Sequence, residues 1–130
     1  MALRVFLVDD LVNMHRLIED LLDIVGGFQL VGTAMSEGEA KLWLEDHPLA
    51  WDVAVVDLVL DGGSGMAVIS RCKELNPASK VCVFSSYVTP VLSEHCARLG
   101  ADVVFHKDES LSFVVWLHDQ SAPGTTPRKV

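Results

Sequence analysis

Residues 51–57 read WDVAVVD, a short run of apolar and β-branched side chains that ends in Asp57. Runs of this kind are typical of a strand that is buried on both faces of a parallel sheet. Residues 3–8 (LRVFLV) have the same character and are followed by Asp9 and Asp10. The two runs therefore predict two buried strands, each followed by aspartate at its carboxyl end.

Outward from these two runs, the chain alternates further apolar runs with amphipathic segments. The segment at residues 11–25 has apolar side chains at helical spacing and ends before Gly26 and Gly27, a typical helix stop. Ser36 with Glu39 forms a capping-box pattern at the start of the next helix. Further strands are predicted over residues 28–35, 80–85 and 101–106. Further helices are predicted over residues 36–46, 66–75, 91–99 and 110–119.

Five strand–helix repeats predict an α/β fold, because parallel strands need crossover connections. We expect one doubly wound, five-stranded parallel sheet in the flavodoxin-like order 2-1-3-4-5, with helices on both faces. This single domain spans residues 1–120. Residues 121–130 are rich in Pro, Gly and Thr and are expected to be a mobile tail or the start of a linker.

Composition restricts the class of protein. The chain has 130 residues and a formal net charge of -8, which argues against a nucleic-acid surface. Its three cysteines, Cys72, Cys82 and Cys96, form no CxxC pair and are expected to be buried thiols of a reducing compartment. No segment has the length or apolarity of a signal peptide or a membrane span. We therefore expect a soluble, cytoplasmic protein without membrane contact.

Polar side chains gather at one edge of the predicted sheet. In the inferred order, strand 1 with Asp9 and Asp10 lies beside strand 3 with Asp57, while Ser85 ends strand 4 and Lys107 follows strand 5. At 4 Å and an effective dielectric constant of 20, each pair of carboxylates repels by about 4 kcal/mol. Such a cluster must protonate or hold a cation, and Mg²⁺ suits a few carboxylates best.

Each of these residues also has an ordinary structural interpretation. Asp10 alone would be a helix N-cap, Ser85 a turn residue and Lys107 a solvated side chain. Their convergence on one edge favours a functional site instead. Zinc is disfavoured because His106, the one candidate ligand at a strand end, should alternate away from Lys107. His15 is interpreted as an exposed or partly packed helix residue, and the three tryptophans as packing residues.

Four segments in the correct order carry a resemblance to a known family. They are VDD at residues 8–10, VVDLVLDGGSG at 55–65, VFSSY at 83–87 and LGADVVFHK at 99–107. Together they resemble the receiver domain of bacterial response regulators over residues 3–119. The resemblance implies phosphoryl transfer from a histidine kinase or a phosphotransfer protein to an aspartate.

The resemblance also implies a role for each matching residue. Asp57 would be the phosphoacceptor, and Asp10, Asp57 and the backbone carbonyl of Val59 would bind Mg²⁺. Asp9 would act through metal-bound water. Ser85 and Lys107 would each contact a phosphoryl oxygen. Catalysis would be limited to the domain's own phosphorylation and slow dephosphorylation, so we do not expect an enzyme in the usual sense.

Partners follow from the same resemblance. Phosphorylation would draw Ser85 toward the phosphoryl group and repack the face formed by helix 4, strand 5 and helix 5. That face would bind a downstream protein or an output domain following the receiver, and it is also a candidate for dimerisation.

Three positions depart from the family pattern, and a fourth, Val59, bears on hydrolysis of the phosphoryl group. Val104 stands where the family has Tyr or Phe, and Phe105 should point to the other face of the sheet. Asp108 replaces the proline that usually follows the lysine, so the peptide bond before it should be trans. Asp61 replaces another proline, which we interpret as a turn variation. Val59 is apolar and cannot orient an attacking water, which predicts a long-lived phosphorylated state.

Three other functions are considered. A phosphatase of the haloacid dehalogenase type needs an acidic residue at position 59, where this chain has valine. A flavodoxin needs a Ser/Thr-rich phosphate loop after strand 1, where this chain has Asp9 and Asp10. A receiver-like interaction module that does not use phosphorylation remains an alternative because of Val104 and Asp108.

Overall fold

The computed structural model describes residues 2–121 as five parallel strands, each followed by a helix. The strands are β1 (Leu3–Val8), β2 (Phe28–Ala34), β3 (Val53–Val56), β4 (Lys80–Ser85) and β5 (Val103–His106). The helices are α1 (Val12–Val25), α2 (Glu37–Asp46), α3 (Gly65–Leu75), α4 (Pro90–Leu99) and α5 (Ser110–Ser121). The strand order is β2-β1-β3-β4-β5, and this confirms the predicted topology.

Alternation along the central strands divides the core between the two faces of the sheet. In β1, Phe6 and Val8 pack into the cluster that includes residues of α2, α3 and α4. Val5 and Leu7 point to the opposite cluster, which includes residues of α1 and α5. Side chains of successive strand residues point to opposite faces, so one short strand supplies both cores. The helices therefore cover both faces, as predicted.

The element ends differ from the sequence-based prediction by one or two residues. The third strand was predicted over residues 51–57 but pairs only over Val53–Val56. The fifth begins at Val103 instead of Ala101, while α5 extends to Ser121 instead of Asp119. α4 begins at Pro90, because Thr89 accepts the N–H of Leu92 as the N-cap. Of the tail predicted over residues 121–130, Ser121 is the last residue of α5, and residues 122–130 lie outside the described residues.

The cap of α2 is confirmed, whereas the cap considered for α1 is wrong. Ser36 accepts the N–H of Glu39 at 3.1 Å, as the capping-box pattern predicts, but the Glu39 carboxylate accepts the N–H of Met35 at 2.8 Å instead of the N–H of Ser36. Asp10 is not the N-cap of α1; Leu11 holds that position, without a side-chain cap. This leaves the carboxylate of Asp10 available at the edge of the sheet.

One packing detail of β2 was not predicted. The β1–β2 register shifts between Val5 and Phe6, which pair with Leu30 and Gly32, so Val31 is bulged. The ring of Trp43 stacks on Phe6 with centroids 4.1 Å apart. A Cβ on Gly32 would lie 2.5 Å from that indole ring. Glycine is therefore required where α2 packs on the sheet.

Within residues 2–121, no helix is long and apolar enough to cross a membrane.

Candidate functional site

Three aspartates meet at the carboxyl edge of the sheet, where the sequence places them. Carboxylate oxygens of Asp9, Asp10 and Asp57 all lie within 4.8 Å of one another. Asp9 and Asp57 are only 2% and 5% exposed, while Asp10 is half-buried. Three carboxylates this close repel one another strongly unless cations or protons compensate them.

The backbone fixes these positions by extending two neighbouring strands. The N–H of Asp57 donates to the carbonyl of Val8 at 2.9 Å, and the N–H of Asp9 donates to Ala34 at 3.0 Å. Behind Asp57, a Cβ on Gly65 would lie 1.9 Å from the Asp57 carbonyl oxygen. Glycine thus lets the first turn of α3 approach the end of β3.

The β1–α1 loop is held by the backbone and side chain of Asp9. Its Oδ1 accepts the N–H of Leu11 at 2.9 Å. Its carbonyl oxygen lies 2.6 Å from Nε2 of His15 on α1. His15 is therefore a partly buried residue that contacts this loop, consistent with its interpretation as a helix residue.

Lys107 supplies the cation of the cluster. Its Nζ lies 3.0 Å from Oδ2 of Asp9 and 3.0 Å from Oδ2 of Asp57, and its side chain is 11% exposed. Burial acts to lower the pKa of Lys107, but hydrogen bonds to both aspartates outweigh it and raise that pKa. Burial raises the pKa of Asp9, and its hydrogen bonds with Leu11 and Lys107 compensate only in part. One ammonium group therefore does not neutralise the cluster.

A cavity of about 240 Å³ opens above these side chains. Its lining residues are Asp10, Leu11, Asp57, Val59, Ser86, Tyr87 and Lys107. Val59 and Tyr87 are 47% and 59% exposed at its rim. Ser85 is completely buried, and its Oγ accepts the N–H of Tyr87 at 3.2 Å, so Ser86 instead lines the cavity.

The donor set suits a small, hard divalent cation. Carboxylate oxygens and water are the ligands that Mg²⁺ prefers, and it rarely needs more than two carboxylates from the protein. One ammonium group, that of Lys107, lies beside three clustered carboxylates, and burial raises the pKa of Asp9. Asp10 and Asp57 could hold such an ion, with Asp9 near it. The backbone carbonyl of Val59 remains a predicted fourth contributor.

Sequence reasoning did not find the residue that holds the β3–α3 loop. The N–H of Glu37 donates to the carbonyl of Gly62 at 2.8 Å, and its Oε1 accepts the N–H of Ser64 at 2.9 Å. A Cβ on Gly63, whose φ is +89°, would lie within 2.4 Å of the Glu37 side chain. The paired glycines after Asp61 were the only sequence signal for this close approach.

Two of the positions that depart from the family pattern, Val104 and Asp108, lie in or just after β5. Val104 packs with the α2–α3–α4 cluster, whereas Phe105 packs on the other face, 6.3 Å from the ring of Phe113. Phe105 therefore cannot replace an aromatic at position 104. The Lys107–Asp108 peptide bond is trans, as expected.

Comparisons of its sequence relate the chain to known proteins. The family model of the response regulator receiver domain matches residues 5–115. A cyclic di-GMP phosphodiesterase from Thermotoga maritima is 35% identical over 90 residues, which are 69% of this chain but only 23% of that protein. The chain thus spans less than a quarter of that relative's length.

Two solved structures illustrate the likeness of fold. The response regulator domain of Thermotoga maritima CheB superimposes with a TM-score of 0.80 at 20% identity, covering 93% of this chain and 96% of that one. The CheX–CheY–BeF₃–Mg²⁺ complex from Borrelia burgdorferi gives a TM-score of 0.78 at 21% identity, with 88% of each chain covered.

Proposed function

Because the chain belongs to the response regulator receiver domain family, we propose that it is a phosphorylation switch whose acceptor is Asp57. The observation that carries the proposal is the arrangement around that residue. Its carboxylate lies beside two further aspartates and 3.0 Å from the ammonium group of Lys107. Catalysis of phosphoryl transfer depends mainly on positioning the reacting groups and on compensating the negative charge of the phosphoryl group.

In the proposed step, a carboxylate oxygen of Asp57 forms a P–O bond while the P–N bond of a phosphohistidine breaks. The leaving imidazole keeps the electron pair of the broken bond. Lys107 is placed to pair with a phosphoryl oxygen, and the exposed rim lets the donor approach. Mg²⁺, held by Asp10, Asp57 and the Val59 carbonyl with Asp9 acting through water, would compensate charge on the phosphoryl group when bound. The donor would be a histidine kinase or a phosphotransfer protein.

The switch would pass through Ser85. Phosphorylation adds charge and three acceptor oxygens beside the end of β4. The Ser85 hydroxyl, which accepts the N–H of Tyr87, could then donate to a phosphoryl oxygen and move that loop. The partner for the altered α4–β5–α5 face would be a downstream protein or an output domain. Three free, buried cysteines suit a reducing cytoplasm, where we place the exchange.

The test is incubation with acetyl phosphate and Mg²⁺ followed by intact mass measurement. We expect one added phosphoryl group in the wild type and none in Asp57→Ala. Asp61→Ala is the matched control, because it removes a nearby loop carboxylate without touching the acceptor, and it should behave like the wild type. An unmodified wild type would instead favour an interaction module that does not use phosphorylation.

A further inference from the structure

The turn between β5 and α5 is closed by the side chains that flank Lys107. Oε1 of Glu109 accepts the N–H of His106 at 2.8 Å, and the N–H of Glu109 donates to the His106 carbonyl at 2.8 Å. Nδ1 of His106 accepts the N–H of Asp108 at 2.9 Å. Ser110 Oγ donates to the Lys107 carbonyl at 3.3 Å. The backbone on both sides of Lys107 is therefore held by local hydrogen bonds.

The opposite side of the same residue is fixed by the sheet. The N–H of Lys107 donates to the Ser85 carbonyl at 3.0 Å, and Ser85 pairs with His106 in the β4–β5 register. From this anchored backbone, a side chain with four rotatable carbon bonds reaches Asp9 and Asp57. A flexible ammonium stem keeps one position only if its backbone is held in place. The turn that follows β5 supplies the second half of that support.

We propose that Glu109 is a positioning residue: by accepting the N–H of His106, its side chain keeps the backbone of Lys107 where the ammonium group reaches Asp57. His106 supports the same turn, because its ring nitrogen accepts the N–H of Asp108. This inference rests on the proposed phosphorylation of Asp57. Glu109 needs only an acceptor oxygen for the role, since its partner is a backbone N–H group. Its negative charge is not required.

A simpler role for Glu109 would be structural. It immediately precedes α5, and its carbonyl accepts the N–H of Phe113 at 3.0 Å. If Glu109 only stabilised the helix, its loss would lower the stability of the fold. It would not change the affinity for Mg²⁺ of the aspartates, for which Lys107 competes. Lys107 already contacts Asp9 and Asp57, so a displaced Lys107 competes less with Mg²⁺.

The test compares Glu109→Ala with Glu109→Gln. At saturating Mg²⁺ and a fixed acetyl phosphate concentration, we expect Glu109→Ala to be phosphorylated about fivefold more slowly than the wild type, because small misplacements slow transfer strongly. Glu109→Gln should stay close to the wild type, because its amide oxygen can accept the same N–H. Glu74→Ala, which removes an exposed glutamate paired with Arg71 on α3, is the matched control.

Titration calorimetry with Mg²⁺ alone gives a readout that is independent of phosphorylation. We expect Glu109→Ala to bind Mg²⁺ about twofold more tightly than the wild type. A displaced Lys107 would spend less time in contact with Asp9 and Asp57 and would therefore compete less with Mg²⁺ for these carboxylates. Glu109→Ala should also have no further effect on the phosphorylation rate in a Lys107→Ala background.

The positioning role would be overturned by an unchanged rate in Glu109→Ala, by equal loss in the alanine and glutamine variants, or by weakened or unaltered Mg²⁺ binding in Glu109→Ala. A wild type that takes no phosphate would contradict the proposed function instead. Unaltered Mg²⁺ affinity in Glu109→Ala, with a phosphorylated wild type, would contradict the positioning role alone.

Discussion

The two ends of the sheet each pair an aspartate with a basic side chain, yet the two pairs differ in character. At the amino-terminal end, Asp52 accepts hydrogen bonds from the backbone N–H of Arg4 at 2.8 Å and from its guanidinium group at 3.1 Å. The side chains of Arg4 and Asp52 are 41% and 33% exposed. At the carboxyl end, Asp9 faces Lys107 with side chains 3% and 11% exposed.

The pKa values of the two aspartates move in opposite directions. Hydrogen bonding to Arg4 lowers the pKa of Asp52 and outweighs its partial burial. Burial raises the pKa of Asp9 despite the nearby ammonium group. A cationic partner therefore does not by itself lower the pKa of an aspartate, because burial can outweigh it. The contact with Arg4 thus favours the charged form of Asp52, whereas burial disfavours the charged form of Asp9. We therefore expect only the carboxyl-terminal cluster to respond to an added cation.

Removing each basic partner should give the largest contrast. In Mg²⁺-free buffer at pH 7, Lys107→Met should lower the free energy of unfolding by about 3 kcal/mol, because it leaves buried carboxylates without a partner. Arg4→Met should lower it far less, because solvent screens the partly exposed pair that Arg4 forms with Asp52. Urea unfolding measures both. Equal losses would show that the two ends do not differ.

Mg²⁺ should stabilise only the carboxyl end. At a concentration 100 times its Kd, Mg²⁺ should raise the free energy of unfolding of the wild type by about 2.7 kcal/mol. Asp57→Asn should lose most of this gain because it removes one of the proposed ligands, whereas Asp52→Asn should keep it. Thermal unfolding with Mg²⁺ and with EDTA measures the difference. A Mg²⁺ effect that survives Asp57→Asn would place the ion elsewhere.

Neutralising one aspartate at each end should change stability in opposite directions. Without Mg²⁺ at pH 7, Asp9→Asn should stabilise the fold by about 1 kcal/mol, because it removes a buried charge from a crowded cluster. Asp52→Asn should destabilise it by about 1 kcal/mol through loss of the contact with Arg4. Guanidinium unfolding of both variants tests the signs. A destabilised Asp9→Asn would mean that Lys107 already compensates the cluster.

The smallest expected effect is the pH dependence of these two differences. The folded-state pKa of Asp9 lies above the ordinary 3.8, so its unfavourable contribution is complete at neutral pH and declines as the pH falls through that raised pKa. The folded-state pKa of Asp52 lies below 3.8, so its favourable contribution persists until lower pH. The Asp9→Asn difference should therefore shrink before the Asp52→Asn difference. Unfolding curves in steps from pH 7 to acid would show the order.

The sequence predicted what depends on local pattern. Strand β1 was predicted with its observed bounds, and the convergence of Asp9, Asp10, Asp57 and Lys107 followed from strand order alone. Hydrophobic period and chain connectivity determine these features, since parallel strands in a fixed order bring their carboxyl ends to one edge.

Features that depend on contacts between distant segments were not predicted. Trp51 and Asp52 read as strand but precede the ladder of β3, and Asp52 instead bonds to Arg4. Strand order placed Lys107 and Asp9 at the same edge but did not specify their direct contact at 3.0 Å, and the hydrogen bond from the Ser64 N–H to Glu37 was not predicted. A polar side chain can form hydrogen bonds with any of several groups within reach, and the packing of the folded chain determines which of these bonds forms.

The position of Tyr87 makes it suitable for a spectroscopic label. It is the chain's single tyrosine, and its ring is exposed at the rim above Asp57. The tryptophans lie elsewhere: Trp43 on α2, Trp51 before β3 and Trp116 on α5. Incorporation of fluorotyrosine would therefore place one fluorine nucleus in this chain, at the rim of the cavity that Asp57 lines. A single ¹⁹F resonance would then follow occupancy of the site in real time, without any assignment of the remaining spectrum.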